Sequence, residues 1–310
     1  MKRYPLVCVL VLNWNRRQIT CDCIESLLKS TYPNFRVVVI DNGSTDNSVS
    51  AFRARFGDRI KIIENKTNVG YARGFNAGLK YGFGQTPAEF CLVMNNDTII
   101  DSRSISELVK VAGIDGKIGF TTGKVFYYDS PSTLQTVGKY EHPIRWNGDH
   151  IGNREEDKGQ YDKVIELHFA DDIFTLVSKA LYEDVGGYDP MFFLQGEEYD
   201  WQARAKKKGY RIMYTPFAKL WHRESMTIGR NSALKAYYDA RNPMLVILLH
   251  QSAGFFRKYV RYHLCRDIFR SSLVSLKQGN MTKAIAKWQG FLSGIRWGIK
   301  NRKITLRHFV

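Results

Sequence analysis

The sequence predicts an α/β fold on a largely parallel sheet, followed by a basic helical region. Three observations lead there. Apolar runs without alternation, at residues 6–12 and 35–40, read as strands buried on both faces. Segments with helical spacing separate such runs, as crossover connections between parallel strands require. The net charge of +16 over 310 residues is also uneven. From 237 to 310, fourteen Lys or Arg stand against Asp239 and Asp267, so that stretch holds +12 and the remainder is close to balanced.

The elements follow in order. After the first strand, Ile19, Cys23, Leu27 and Leu28 have helical spacing, and Tyr32-Pro33-Asn34 breaks the chain before the second strand. Ser44 or Thr45 can cap a helix running to about Phe56. Residues 60–64 read as a third strand, 68–74 as a loop, 77–82 as a helix and 90–94 as a fourth strand. The polar clusters Asn13-Trp14-Asn15, Asp41-Asn42 and Asn95-Asn96-Asp97 each follow a strand. In an open parallel sheet they would meet along one edge, outside the carboxyl ends of the strands, where ligands sit. The middle, 118–225, is less regular. Residues 148–161 read as a mobile polar loop, 179–184 as a helix ended by Gly186-Gly187, and 197–208 as a helix ended by Gly209. Beyond Ser232 the apolar spacing is helical.

Composition narrows the class. With 25% charged and 44% apolar residues the chain is globular, not disordered. Five cysteines with no CxxC pair argue against a disulfide scaffold or zinc ribbon and favour a reducing compartment. No apolar stretch approaches the roughly 18–20 residues of a membrane span, and the amino terminus does not read as a signal peptide.

Several motifs can carry chemistry, each with a structural alternative. Asp41, in Asp41-Asn42-Gly43-Ser44-Thr45-Asp46, can accept the N3–H of a pyrimidine base; the same residues suit a strand-to-helix turn. Trp14 can stack on a base, or pack in the core. In the stretch from Asn68 to Asn76, backbone N–H groups and Arg73 can hold a diphosphate, although no Walker lysine follows. Asp97 with Asn95 and Asn96 suits a hard divalent cation shared with phosphates, or a turn. Glu197, Glu198 and Asp200 suit a helix amino terminus; such a cluster also raises one carboxyl pKa, which favours general-base work. His222 stands before Arg223-Glu224-Ser225.

Taken in order, Val-Leu-Asn-Trp-Asn (11–15), Val-Ile-Asp-Asn-Gly-Ser-Thr-Asp (39–46), Asn-Val-Gly-Tyr-Ala-Arg-Gly-Phe-Asn (68–76), Met-Asn-Asn-Asp (94–97), Val-Gly-Gly-Tyr-Asp (185–189), Phe-Leu-Gln-Gly-Glu-Glu-Tyr-Asp (193–200) and Trp-His-Arg-Glu-Ser (221–225) form a series. The series resembles an inverting family-2 glycosyltransferase of the GT-A nucleotide-diphospho-sugar transferase fold, nearest the bacterial rhamnosyltransferase-like enzymes of cell-surface polysaccharide synthesis. The resemblance spans about residues 5–242. It implies a catalytic domain at 1–236, with a nucleotide-binding half to about 100 and an acceptor half after it, and a basic helical region at 237–310.

It further implies a nucleotide-sugar donor, dTDP-rhamnose or a UDP-sugar, contacted by Asn13, Trp14, Asn15, Asp41, Asn68, Gly70, Arg73, Asn76 and Asn96. Asp97, with His222, would hold Mg²⁺ or Mn²⁺; Asn95 stands where the family's metal motif has its first acid. Glu198, or neighbouring Asp200, would be the base, with Glu198 favoured. Asp171, Asp172 and Glu197 would shape the acceptor site. The acceptor would be a saccharide, free or carried on a polyprenyl diphosphate in the cytoplasmic leaflet. Arg257, Lys258, Arg261, Arg266 and Arg270, beside Phe255, Phe256, Tyr259 and Tyr262, would then lie on an anionic membrane surface, in a cytoplasmic, peripheral protein. The same helices could pair subunits.

Other functions fit less well. The +16 charge alone would suit nucleic acid, but no nucleic-acid motif appears and the excess lies outside the α/β module. A nucleotidyltransferase would show a basic glycine loop after the first strand, where Asn13-Trp14-Asn15 stands. A catalytically silent scaffold subunit is the remaining alternative, suggested by Asn95 and Glu198.

Overall fold

The computed structural model describes residues 4–223 and 232–301. Glu224 and Ser225, the end of the last motif, lie outside the described residues, as do 302–310. The first half is a repeating strand–helix unit: β1 (Val7–Asn13), α1 (Arg17–Leu27), β2 (Phe35–Asp41), α2 (Ser48–Phe56), β3 (Ile60–Glu64), α3 (Tyr71–Gln85) and β4 (Phe90–Asn95). These four strands are parallel, in the spatial order β3-β2-β1-β4. Side chains alternate along a strand, so Val7, Val9 and Val11 enter one core with α1 and α2. Cys8 and Leu10 enter a second with α3. Two covered faces are why β1 reads as an unbroken apolar run.

Then come β5 (Thr98–Ile100), α4 (Ser104–Ala112), β6 (Ile118–Tyr127), β7 (Ser130–Thr136), the hairpin β8 (Lys139–His142) and β9 (Trp146–His150), β10 (Ile165–Glu166), β11 (Phe174–Ser178), α5 (Lys179–Val185), α6 (Glu197–Lys207) and β12 (Arg211–His222). Here the sheet becomes mixed. β11 runs antiparallel to β4 and β6, and β12 runs parallel to β6.

Three local expectations change. Ser44 and Thr45 do not cap α2, which starts at Ser48 behind Asn47; the Ser44 hydroxyl instead accepts from the Asn13 side chain and the Asn15 backbone N–H. The helix expected at 77–82 begins six residues earlier, because Gly70 supplies the turn. Its φ is +85°, and a Cβ there would sit 2.6 Å from the Phe193 carbonyl oxygen. The loop expected at 148–161 begins as the last strand of the β8–β9 hairpin.

The C-terminal region comprises α7 (Ala233–His250), α8 (Ala253–Tyr262), a π-helical segment at 263–270, α9 (Ser271–Lys277) and α10 (Met281–Lys300). The boundary expected at 236/237 falls inside α7. Leu245 and Val246 of that helix belong to the same core as β1 and α3. The Asn242 carboxamide donates to the carbonyls of Leu194 and Gln195 at 2.7 and 2.8 Å, tying α7 to the turn before α6. Gly290, Gly294 and Gly298 recur every fourth residue along the face of α10 that meets α7. A Cβ at 290 would lie 2.2 Å from the Tyr237 carbonyl oxygen. Ala240, Met244, Ile247, Tyr259, Ile268 and Phe291 form a separate small core among these helices.

Candidate active site

The ends of β1, β2 and β4 meet as the motif order implies. Asn13 donates to Asp41 at 2.8 Å, Thr20 donates to Asn13 at 2.7 Å, and Asn96 donates to Thr20 at 2.8 Å. This chain of buried polar side chains fixes the loops along the edge where a nucleotide would lie. Asp41 is buried, and its other oxygen accepts the Ser44 N–H. Asn15 accepts the Thr45 N–H. Asn68 accepts from Asn42 and from the Gly70 N–H. Trp14 is 37% exposed, so its ring is available at the surface of this edge. Arg73 is exposed in the first turn of α3. Asn76 is occupied elsewhere: both ends of its carboxamide bind the Tyr188 backbone, which locks the turn after α5.

Across β4 from that edge lies a cavity of about 340 Å³. It collects Asn96, Asp97, His222, Asp171, Asp172, Glu197 and Glu198 from four separate stretches of the chain. The register explains the convergence. Pairing of His222 with Thr98 brings the end of β12 beside Asp97, and Asn95 N–H donates to the Ile173 carbonyl, which brings Asp171 and Asp172 alongside.

His222 Nε2 lies 3.2 Å from Asp97 Oδ1, while its Nδ1 faces Gln135 Oε1 at 2.9 Å. With Nδ1–H donating to the amide, Nε2 is left as the lone-pair nitrogen. An imidazole nitrogen and a carboxylate at this spacing fit one divalent ion whose other ligands are phosphate oxygens or water. Among the described residues no group of three or more His, Cys, Asp or Glu could hold a metal ion. A metal here would therefore depend on its substrate for ligands.

The acids divide into two sets. Asp171 is held by Thr136 at 2.9 Å, His150 at 3.0 Å and Lys139 at 3.4 Å. Burial alone would raise its pKa, but Lys139 and these hydrogen bonds outweigh it and hold the carboxyl far below the ordinary range. Asp172, Glu197 and Glu198 are pushed up, chiefly by burial. Repulsion from Glu198 adds to the rise at Asp172 and Glu197. Lys139 opposes the rise at Glu198. Tyr188 donates to Asp172 at 2.6 Å. Glu198 accepts the Gly196 N–H at 3.1 Å and also meets the Tyr199 hydroxyl, and Glu197 Oε2 is buried with no partner. Interacting carboxyls of this kind titrate as a group and hold a proton more readily than isolated ones.

Asp200, two residues along α6 from Glu198, points away from the cavity, because i and i+2 lie on different faces of a helix. It is buried against Arg204 and His250, each at 2.8 Å, and those partners hold its pKa down against the effect of burial.

Sequence reasoning missed Lys139, His150, Tyr71, Gln135 and Tyr199. Lys139 approaches the Tyr199 hydroxyl at 2.5 Å. Tyr71 donates to the Asp172 carbonyl at 3.1 Å. Lys139 and His150 lie on the hairpin that reads as irregular chain, where no motif marks them.

The aromatics assigned to a membrane surface are also rearranged. Tyr259 is buried and stacks on His263 at 5.1 Å, and Phe255 and Phe256 pack against the same small core. Residues 255, 259 and 263 form one helical row, which faces inward. Exposed apolar side chains on these helices include instead Phe269, Leu273, Val274, Leu276, Met281 and Ile299.

The model of glycosyl transferase family 2 matches residues 8–186, more than half of the chain. The chain belongs to glycosyl transferase family 2. It is 23% identical over 221 residues to the poly-β-1,6-N-acetyl-D-glucosamine synthase of Staphylococcus aureus, covering 71% of this chain and 50% of that protein. The chain spans about half the length of the curated relatives it matches. Among solved structures, a mannosyltransferase of Pyrobaculum calidifontis in complex with GDP-Man and Mn²⁺ superposes with a TM-score of 0.57 at 14% identity, over 94% of this chain and 88% of that one. TarS of Staphylococcus aureus gives 0.53 at 16%, over 93% and 80%. These likenesses establish the GT-A fold. Among the described residues no helix is long and apolar enough to cross a membrane.

Proposed function

We propose that this family-2 protein is an inverting glycosyltransferase that takes a sugar from a pyrimidine nucleotide donor, dTDP-rhamnose or a UDP-sugar, and adds it to a saccharide acceptor carried on a lipid at an anionic membrane face. The observation that carries the reading is the cavity in which the Asp97–His222 pair faces the Asp172–Glu197–Glu198 acids. Glu198 is the base. It lines the cavity, whereas Asp171 is held by three partners and Asp200 faces elsewhere.

Glu198 removes the proton of an acceptor hydroxyl. The hydroxyl oxygen attacks the anomeric carbon from the face opposite the diphosphate. The bond to the diphosphate breaks with its electron pair on the leaving oxygen, so the configuration inverts in one displacement. Asp97 and His222 would hold Mg²⁺ or Mn²⁺, which supplies neutralisation of charge on the leaving diphosphate. Asp41 and Trp14 would receive the base, and Asp171, fixed by Lys139 and His150, would accept hydrogen bonds from acceptor hydroxyls.

A thermal-shift panel of UDP, dTDP, GDP and CDP sugars, with and without Mn²⁺, tests the reading. Stabilisation by UDP or dTDP sugars that grows with metal is expected. Stabilisation by GDP sugars alone would contradict the role given to Asp41.

A further inference from the structure

The β8–β9 hairpin brings a buried cation to the catalytic cavity, and the chemistry above uses it only to hold Asp171. Lys139 begins β8. Its N–H donates to the Phe169 carbonyl at 2.9 Å, which seats the strand beside the segment carrying Asp171 and Asp172. Its side chain is buried and lines the cavity. A buried ammonium needs partners. Lys139 has two, Asp171 Oδ1 at 3.4 Å and the Tyr199 hydroxyl at 2.5 Å. Its Nζ also lies 4.9 Å from the centre of the Tyr199 ring.

Tyr199 follows Glu198 in the first turn of α6, and its hydroxyl meets the Glu198 carboxylate. Chemistry assigns the donors. An ammonium only donates, so the tyrosine oxygen accepts from Lys139 and its O–H is left to donate to Glu198. Accepting from a cation makes that O–H a stronger donor. A chain Lys139–Tyr199–Glu198 therefore runs from the hairpin to the base. Burial and the Asp171 charge push Glu198 toward its protonated form, and Lys139 opposes them. Lys235, the second lysine on the cavity wall, is paired with Asp239 at 2.8 Å. The remaining titratable groups there are Asp97, Asp172, Glu197, Tyr71, His150 and His222. Lys139 is thus the lysine turned to the acids.

We propose that Lys139 is a positioning residue for the transfer step: through the Tyr199 hydroxyl it holds the Glu198 carboxylate in place and free of its proton. The proposal rests on the reading of Glu198 as the base. It gives the hairpin a second task besides fixing Asp171, because one ammonium serves both the acceptor-side acid and the base.

The test follows two readouts across pH in the full chain and in Lys139→Met, Lys139→Arg and Tyr199→Phe. One is release of nucleoside diphosphate from UDP- or dTDP-sugars with Mn²⁺. The other is the titration midpoint of the Glu198 carboxyl by ¹³C NMR with UDP and Mg²⁺ present, its signal assigned with Glu198→Gln. Loss of the ammonium, or of the hydroxyl that carries its effect, favours the protonated carboxyl. In Lys139→Met the acid limb of the rate and the Glu198 midpoint should both move to higher pH by about one unit. The rate on that limb then falls about tenfold. Tyr199→Phe should move both in the same direction, and it stands as the second variant if Lys139→Met does not fold. Lys139→Arg keeps the charge and should restore the limb toward that of the parent. A lower rate with limb and midpoint unmoved would make Lys139 a merely structural residue and overturn the proposal, as would unchanged rates. A parent chain that releases no nucleoside diphosphate at any pH, with a midpoint that still moves in Lys139→Met, would sink the transferase reading and leave the Lys139–Glu198 coupling standing.

Discussion

Asn242 offers a sharp test of how the C-terminal helices support the site. Its carboxamide is fully buried and donates to two backbone carbonyls, Leu194 and Gln195, immediately before Gly196 and the Glu197–Glu198 pair. Gln195 and Gly196 both have positive φ, so this turn is held against its local preference. Asn242→Leu keeps most of the volume and removes both donors. Each buried carbonyl left without a partner costs about 1–3 kcal/mol, so the loss should total about 2–6 kcal/mol. With roughly 2–4 °C per kcal/mol for a chain of this size class, the melting temperature should fall on the order of 5–20 °C. Release of the turn should also displace Glu198. A shift near 1 Å at a reacting group can cost on the order of a hundredfold in rate. Differential scanning calorimetry with an assay of donor turnover reads both effects, while UDP binding at the β1–β2 edge should be retained. A variant that melts within a degree of the parent and turns over normally would refute the coupling of α7 to the acids.

The remaining predictions concern the metal pair, acid stability and one backbone position. Gln135→Leu removes the amide that orients His222, and Mn²⁺ affinity in the presence of UDP should fall by about 10–100-fold, measured by titration calorimetry; unchanged affinity would mean that Nε2 needs no such orientation. His168 is half-buried with Lys206 at 3.0 Å, and that burial followed by the lysine lowers its pKa to about 4. Because the unfolded chain binds the proton more tightly, stability from this group is complete above about pH 6.5 and is lost as pH falls toward 4. The loss is on the order of 2–3 kcal/mol; His168→Gln should flatten this part of the urea-midpoint profile, and parallel profiles would disprove it. Gly70→Ala forces a Cβ against the Phe193 carbonyl at positive φ and should destabilise by about 1–3 kcal/mol, read by urea unfolding; a neutral result would show that the α3 turn yields easily.

The parallel first half was legible because its signals are local. Doubly buried strands read as apolar runs, and the polar ends of β1, β2 and β4 stand directly after them. The mixed half that follows was not. Lys139 and His150 reach the cavity through a hairpin whose strands, such as Trp146–His150, carry Asn, Gly and Asp in place of an apolar alternation. Asp200 and Glu198 look equivalent in sequence, and only the helical phase and the partners Arg204 and His250 separate them. The boundary near 236 followed the charge, but charge describes the solvent-facing side of α7. Its inward side, Asn242, Leu245 and Val246, belongs to the catalytic unit. Likewise the basic residues flagged the helical region, while the inward row of residues 255, 259 and 263 was mistaken for its surface.

Release of nucleoside diphosphate from UDP- or dTDP-sugars with Mn²⁺, followed for the parent chain and for Glu198→Gln, addresses the proposed chemistry most directly. Loss of the base should lower the rate by roughly 10²–10⁴-fold, with donor binding unchanged because Glu198 lies across β4 from the nucleotide edge. Equal rates in the two proteins would contradict the assignment of Glu198 as the group that takes the acceptor proton.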